Sequence, residues 1–418
     1  MKLMPLPTTT RLRQMMKGMP CEFGFNKVSL DSIGAFMKNK AGVQCYGTLV
    51  LDEMMVREVV AFNKSTYKVD GFVDYGDGHD SETTADHALV LMFVPLFRSW
   101  VQPIASFATR HAAPGRVLAR LVLEAILQLH KHNATVVAVI SDGASTNKAM
   151  WSCFGIKGKL HEPKHRVDHP CVPDQQLYFL CDEPHIIKCI RNYLMRHKYG
   201  MEWLLKWNTF LRLTVVFKNS CQLLVYMHKC LFIKIKPQNF HICCSQLFSR
   251  STAFGLKVYQ RLEEPDLKDC HGTAQFTLMV NNLFDALNVK LPKFGITSSS
   301  KEVEEFLDAV NKTEENHITN GTVMFASQVT MKSLRVTLAS VRDLITDLLS
   351  KGARYVLTGK LNQDSLEAYF EASNFEQHRA DQWKKLKPNA VPTVFPFRGE
   401  LLFHCASKIL CEPNRQQQ

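Results

Sequence analysis

"APGRVLARLVLEAILQLHKHNATVVAVISDGAST", residues 113–146, carries two hydrophobic periods in succession. In its first half Leu118, Leu121, Val122, Ala125, Ile126 and Leu129 recur at the i, i+3, i+4, i+7 spacing of one helix face. Pro114 and Gly115 mark where that helix begins. The second half, "TVVAVISD", reads as a strand that follows the helix at once. Upstream, "VQCYGTLVLDEM" (43–54) and "REVVAFNKSTYKVDG" (57–71) read as two strands, "FVDYGDGHD" (72–80) as a turn-rich connection and "ALVLMFVPLF" (88–97) as a buried strand. Downstream, a helix is expected from about Pro184 through "HIIKCIRNYLMRH". Several strands, a helix, then a strand flanked by helices predict a mixed α/β sheet. From about residue 196 helical periodicity takes over, as in "QFTLMVNNLFDALN" (275–288), "SKEVEEFLDAVNKTEE" (300–315) and "SLRVTLASVRDLITDLLSKG" (333–352).

The chain has 418 residues, enough for two or three domains, and a formal charge of +12 that suits a polyanionic partner such as nucleic acid. With 46% hydrophobic and 22% charged residues the composition is that of a folded protein rather than a disordered one. Its 13 cysteines contain no Cys-x-x-Cys pair, and His241, Cys243 and Cys244 fit no common zinc spacing, so free thiols in a reducing compartment are expected. The N-terminus lacks an apolar core of signal-peptide length. "HALVLMFVPLF" is too short to span a bilayer, and "QLLVYMHKCLFIKI" is interrupted by Lys. A soluble intracellular protein without a membrane partner is the expectation.

Asp52 ends the strand-like run "GTLVLD", and Asp142 ends "TVVAVISD" beside Gly143. A carboxylate at a strand end is held by the sheet while the adjoining loop leaves room for substrate. Each aspartate also fits a turn or N-cap role, for which "SDGAST" is well suited. Late in the chain, "LNQDSLEAYF" (361–370) places Asp364 and Glu367 at i, i+3, on one face of a short helix. Capping and the helix dipole account for that pair too. Hard oxygen ligands of this kind suit Mg²⁺ or Mn²⁺, and a two-ion site for phosphodiester cleavage needs a third carboxylate of the sort Glu367 supplies.

Six motifs occur in one order: "LVLDEM", "SDGASTNKAMW", "DEPHIIKCIRN", "QLFS", "NNLFDALN" and "YVLTGKLNQDSLEAYF". In these the chain resembles P element transposases and the THAP-domain proteins derived from them, over roughly residues 5 to 370. The resemblance implies an RNase H-like mixed sheet interrupted by a mostly α-helical GTP-binding insertion. It also implies metal-dependent DNA cleavage and strand transfer, with transposon ends and target DNA as partners, a nuclear location, and room for a homo-oligomer. It divides the chain into a basic lead-in (1–42), the first part of the RNase H-like domain (43–195), the insertion (196–350), a final helix with the third carboxylate (351–375) and an unmatched tail (376–418). Asp52, Asp142 and Glu367 take the catalytic and metal-binding positions, with Asp364 beside them as an auxiliary or alternative ligand. In the insertion, Asp285 takes the guanine-reading position next to Phe284, followed by Asn288, and Ser249 a nucleotide-contacting one. Lys188 and Arg191 are candidates for DNA phosphate contacts, or a charge pair at a helix C-terminus.

The chain departs from the family pattern in places. Phe240 stands where the family has a lysine that neutralises phosphate. Loss of that charge-assisted bond, about 1.5–3 kcal/mol, weakens GTP binding by about tenfold or more, unless Lys234 or Lys236 substitutes. The family's N-terminal zinc finger and coiled coil have no counterpart in this sequence, and the match stops after "LEAYF". A partial or defective enzyme is therefore the expectation. The alternative is a non-catalytic, transposase-derived nucleic-acid or protein interaction module.

Overall fold

A computed structural model describes residues 23–63, 67–78, 81–196, 247–262 and 270–372. The sequence expectations on Lys234, Lys236, Phe240, His241, Cys243, Cys244 and the tail 376–418 lie outside the described residues. The contacts divide the chain into two compact units, Met1–Val136 with Gln363–Gln418, and Val137–Asn362.

The first unit begins with β1 (Gly24–Phe25) and α1 (Lys27–Met37), which Asn26 caps by accepting from the Ser29 amide. Next come β2 (Tyr46–Met55), the short pair β3 (Ala61–Asn63) and β4 (Lys68–Asp70), β5 (His87–Pro95), β6 (Gln102–Thr109) and α2 (Gly115–Lys131). Strands β1, β6, β5 and β2 lie side by side in that order, each antiparallel to its neighbour. Every residue of β5 from Ala88 to Pro95 is buried, which is why its sequence shows no polar alternation. Within the segment 57–71, expected to be one strand, Ala61–Asn63 pairs antiparallel with Lys68–Asp70, and Tyr67 has a left-handed φ of 56°. Gly47 sits where any Cβ would meet the Phe93 ring at 2.4 Å, so a side chain at this point of β2 must push that ring aside.

Helix α2 buries the stripe expected from its period, Leu118, Leu121, Val122, Ala125, Ile126 and Leu129. It ends at Lys131, and two residues on Asn133 takes a left-handed φ of 58°, which asparagine tolerates. Asn133 Nδ2 donates to the carbonyls of Met37 and Lys40, fixing the end of α1. The unit is completed by α9 (364–372).

The second unit holds β7 (Thr135–Ser141), α3 (Ser145–Cys153), the small pair β8 (Lys157–Gly158) and β9 (Pro163–Lys164), β10 (Arg166–Asp168), β11 (Gln176–Cys181) and α4 (Glu183–Arg196). Strand β11 runs parallel to β7 and antiparallel to β10, so parallel and antiparallel pairings are both present. Then follow α5 (Arg250–Arg261), α6 (His271–Leu287), α7 (Lys301–Asn320) and α8 (Gln328–Ser350). Helix α8, which the sequence groups with the helical insertion, packs along β11. Ser340 Oγ donates to the Phe179 carbonyl at 2.7 Å, and Thr337 Oγ1 accepts from the Cys181 amide at 2.9 Å. Arg335 of α8 is buried and gives its guanidinium to Glu314, Asn311 Oδ1 and the Gly158 carbonyl.

Candidate catalytic and nucleotide sites

Strand β7 stops at Ser141, and Asp142 occupies the next position, half-buried. Its Oδ1 accepts from the Ala144 amide at 2.8 Å and from Asn147 Nδ2 at 2.6 Å. Ala144 offers no side-chain cap for α3, so the aspartate does the turn-closing work. The turn role and the ligand role are therefore compatible: one oxygen is held, and the other makes no hydrogen bond among the described residues. Gly143 is enclosed by His185, whose ring lies 3.2–3.4 Å from where a side chain would start. The parallel neighbour β11 ends alongside, and the Asp182 amide donates to the Ser141 carbonyl at 2.8 Å. Asp182 in turn caps α4 by accepting from the His185 amide at 3.1 Å. Burial, reinforced by the charges of Asp182 and Asp142, pushes the Cys181 thiol well above its ordinary pKa, so it is inert. On α4, Lys188 is half-buried. Arg191 is only 8% exposed, and its guanidinium donates to Asn192 Oδ1. Its side chain is thus largely covered in this structure.

In the first unit Asp52 does not end its strand, as its sequence context implied. Strand β2 continues to Met55, opposite His87, and Asp52 pairs with Val90. The strand runs on because "DEMM" still finds antiparallel partners in β5. Asp52 Oδ1 accepts from the Glu53 amide at 2.8 Å, and Glu53 Oε1 accepts from the Ala113 amide at 2.7 Å. Helix α9 follows Gln363, whose carbonyl accepts from the amides of Leu366 and Glu367. Gln363 Nε2 also donates to the Leu51 carbonyl at 2.8 Å, a buried bond across 312 positions. The helix that carries Asp364 and Glu367 is thereby tied to the residue preceding Asp52. Sequence reasoning missed Gln363, and only the position of the side chain just before the helix hinted at it.

The nucleotide candidates lie in the second unit. Ser249 caps α5, its Oγ accepting from the Thr252 amide at 3.2 Å. The next amide, of Arg250, donates to Asn281 Oδ1 at 3.0 Å, and Asn281 Nδ2 donates to Asp285 Oδ2 at 2.9 Å. Asn281 thus links the start of α5 to the exposed Asp285 on α6. Its spacing of four from Asp285 was legible, although its role was not. Phe284 is half-buried. Asn288, just past the helix, has a buried Oδ1 with no hydrogen-bond partner among the described residues. The turn Thr358–Lys360 closes on this end: Thr358 Oγ1 donates to the Ala286 carbonyl at 2.6 Å and accepts from the Val289 amide at 3.1 Å. Burial brings the Lys360 ammonium down to a pKa of about 8.

Two family models match the chain: a TNP-like, RNase H N-terminal domain over residues 21–155 and a TNP-like, GTP-binding insertion domain over residues 184–301. The chain is 26% identical over 293 residues to the DNA transposase THAP9 of Homo sapiens, covering 69% of this chain and 32% of that protein. It is 24% identical over 381 residues to the Transposable element P transposase of Drosophila melanogaster, covering 88% and 47%. The chain therefore spans less than half the length of these curated relatives. Among solved structures, the Drosophila P element transposase strand transfer complex superposes with a TM-score of 0.70 at 22% identity, covering 97% of this chain and 85% of that one. That likeness shows a shared fold, and the family model over residues 21–155 makes its N-terminal part RNase H-like. Among the described residues, no helix is long and apolar enough to cross a membrane.

Proposed function

We propose that this chain, which belongs to the P element transposase family, is the core of a DNA transposase, with Asp52, Asp142 and Glu367 as its metal-holding carboxylates and Asp364 as an auxiliary ligand. The observation that carries the reading is the bond from Gln363 to the Leu51 carbonyl, which seats the Glu367 helix on the strand of Asp52. The donor set fits a hard divalent cation, since all the candidates are carboxylates and Asp142 keeps one oxygen out of its turn. A bound Mg²⁺ or Mn²⁺ supplies Lewis acidity to the phosphate and lowers the pKa of a water or 3′-hydroxyl nucleophile. The chain's own residues fix the geometry. Ala144 and Asn147 hold the Asp142 carboxylate, Glu53 and Ala113 brace the backbone around Asp52, and Gln363 orients α9. In the reaction, water attacks a phosphodiester phosphorus and the bridging oxygen leaves as a 3′-hydroxyl. That hydroxyl then attacks a target phosphodiester, exchanging one P–O bond for another. DNA is the substrate, which implies work in the nucleus.

The test is Mg²⁺- or Mn²⁺-dependent nicking of DNA by the full chain, compared with Asp142→Ala. Loss of nicking in the variant supports the reading. Equal background in both refutes it and leaves a non-catalytic nucleic-acid module. For the insertion, Asp285 and the unpaired Asn288 Oδ1 support a guanine nucleotide as ligand. Calorimetric titration should show GTP preferred over ATP and the preference reduced in Asp285→Asn. No preference in the wild type counts against Asp285 as the reader.

A further inference from the structure

We infer that Asp86, His87 and His111 form a binding site for a borderline divalent cation of the zinc class, in addition to the carboxylate set proposed above. Among the described residues they are the one group of three whose ligand atoms all lie within 4.8 Å of one another. Asp86 immediately precedes β5, His87 is its first residue, and His111 lies two residues beyond β6. The antiparallel pairing of these strands brings positions 86 and 111 together, with the Asp86 amide donating to the Thr109 carbonyl at 3.0 Å.

The donors are held in place before any ion arrives. His87 Nδ1 lies 2.7 Å from Asp86 Oδ1, and His111 Nδ1 lies 3.1 Å from Asp86 Oδ2. The backbone of His111 is clamped on both sides: its amide donates to Asp86 Oδ1 at 2.7 Å, and its carbonyl accepts from Thr109 Oγ1 at 2.9 Å. The clamp holds His111 at a φ of 53°, a conformation a histidine adopts at some cost. The other charged groups at hand are Arg110 and Glu58. Arg110 Nη1 pairs with Glu58 Oε1 at 2.7 Å, and its Nε lies 3.7 Å from Asp86 Oδ2. Asp86 and Glu58 against Arg110 leave one net negative charge, favourable to a cation. His87 and the His111 amide both hydrogen-bond the Asp86 carboxylate, at 2.7 Å each, and so fix its orientation.

Two imidazole nitrogens and one carboxylate are the donor set of an open zinc site, with three protein ligands and solvent in the fourth position. Nitrogen donors separate this site from the all-oxygen set suited to Mg²⁺. Ligation through Nδ1 takes the tautomer of each imidazole that carries its proton on Nε2. The side chain of His111 is 75% exposed and free to swing the small distance that a metal bond near 2.1 Å demands.

The probe is Zn²⁺ alone, dialysed against the full chain with Mg²⁺ in large excess to fill hard-oxygen sites, followed by metal analysis and thermal melting. His111→Asn is the informative variant, because asparagine tolerates the left-handed backbone and position 111 is exposed. One Zn²⁺ per wild-type chain is expected, with a raised melting temperature. In His111→Asn the affinity should drop by more than the roughly 10–100-fold that loss of an outer-shell partner costs. Asp142→Ala should retain its Zn²⁺. Co²⁺ in the site should show no thiolate charge-transfer band, which separates it from binding by cysteines. Absence of retained Zn²⁺ in the wild type, or equal retention and equal melting shift in His111→Asn, overturns the inference.

Discussion

Replacing Gln363 by Met tests the link between fold and proposed chemistry at one hydrogen bond. Met keeps the length and apolar stem of the side chain but cannot donate to the Leu51 carbonyl. Gln363 is 2% exposed and Leu51 1%, so no water replaces the lost donor. An unsatisfied buried acceptor costs about 1–3 kcal/mol. If α9 opens on its own, that cost appears as amide hydrogen exchange about 5–150 times faster over 364–372. Because Glu367 rides on this helix, a displacement of about 1 Å in its carboxylate lowers metal-dependent nicking on the order of 100-fold. Exchange resolved by mass spectrometry, alongside nicking by the same preparation, reads both effects. Unchanged exchange would show that the bond does not hold the helix. Faster exchange with full nicking activity would sink the assignment of Glu367.

Arg335→Met should strand the buried Glu314 carboxylate and lower stability by about 3–5 kcal/mol in thermal or urea unfolding, while Arg335→Met with Glu314→Gln should recover part of that loss. For Lys360, the folded pKa of about 8 lies below the unfolded value of about 10.4, so the unfolded chain binds more protons between those values. Its cost, at most about 3 kcal/mol, is fully present below pH 8, and stability should rise from there to about pH 10.4. Lys360→Met should raise the melting temperature at pH 7 and flatten that rise; a flat wild-type profile counts against it. Gly47→Ala should cost about 1–3 kcal/mol by forcing Phe93 aside, visible as a lower melting temperature.

Local period carried the sequence reading furthest where one element decides its own surroundings. The stripe on α2 and the apolar run of β7 were legible, and with them the position of Asp142, because burial imposes the spacing directly. Asp52 was found, but the end of its strand was not. Whether "DEMM" continues the ladder depends on β5, whose start at His87 lies more than 30 positions away. Helix α8 was recognised by its period, yet its neighbour was not. Nothing in "SLRVTLASVRDLITDLLSKG" says that Ser340 and Thr337 serve the carbonyl and amide of β11. Asp86, His87 and His111 escaped notice because their juxtaposition is made by strand register, while Gln363 and Asn281 are polar side chains whose partners only the fold supplies.

The bonds around Asn133 bear on how fragments of this protein should be cut. Residues 1–42 read as a lead-in, yet from Asn26 onward they belong to the body of the first unit. The Asn26 amide donates to the Ile104 carbonyl, Ser29 Oγ receives the buried Gln102 amide, and Leu30, Ile33 and Met37 are covered. A fragment beginning at residue 43 would bare those partners, leave Gln102 only the Pro103 carbonyl, and take the Met37 and Lys40 carbonyls from Asn133. The domain's usable N-terminal limit therefore lies ahead of Gly24, where β1 still adds its edge to β6.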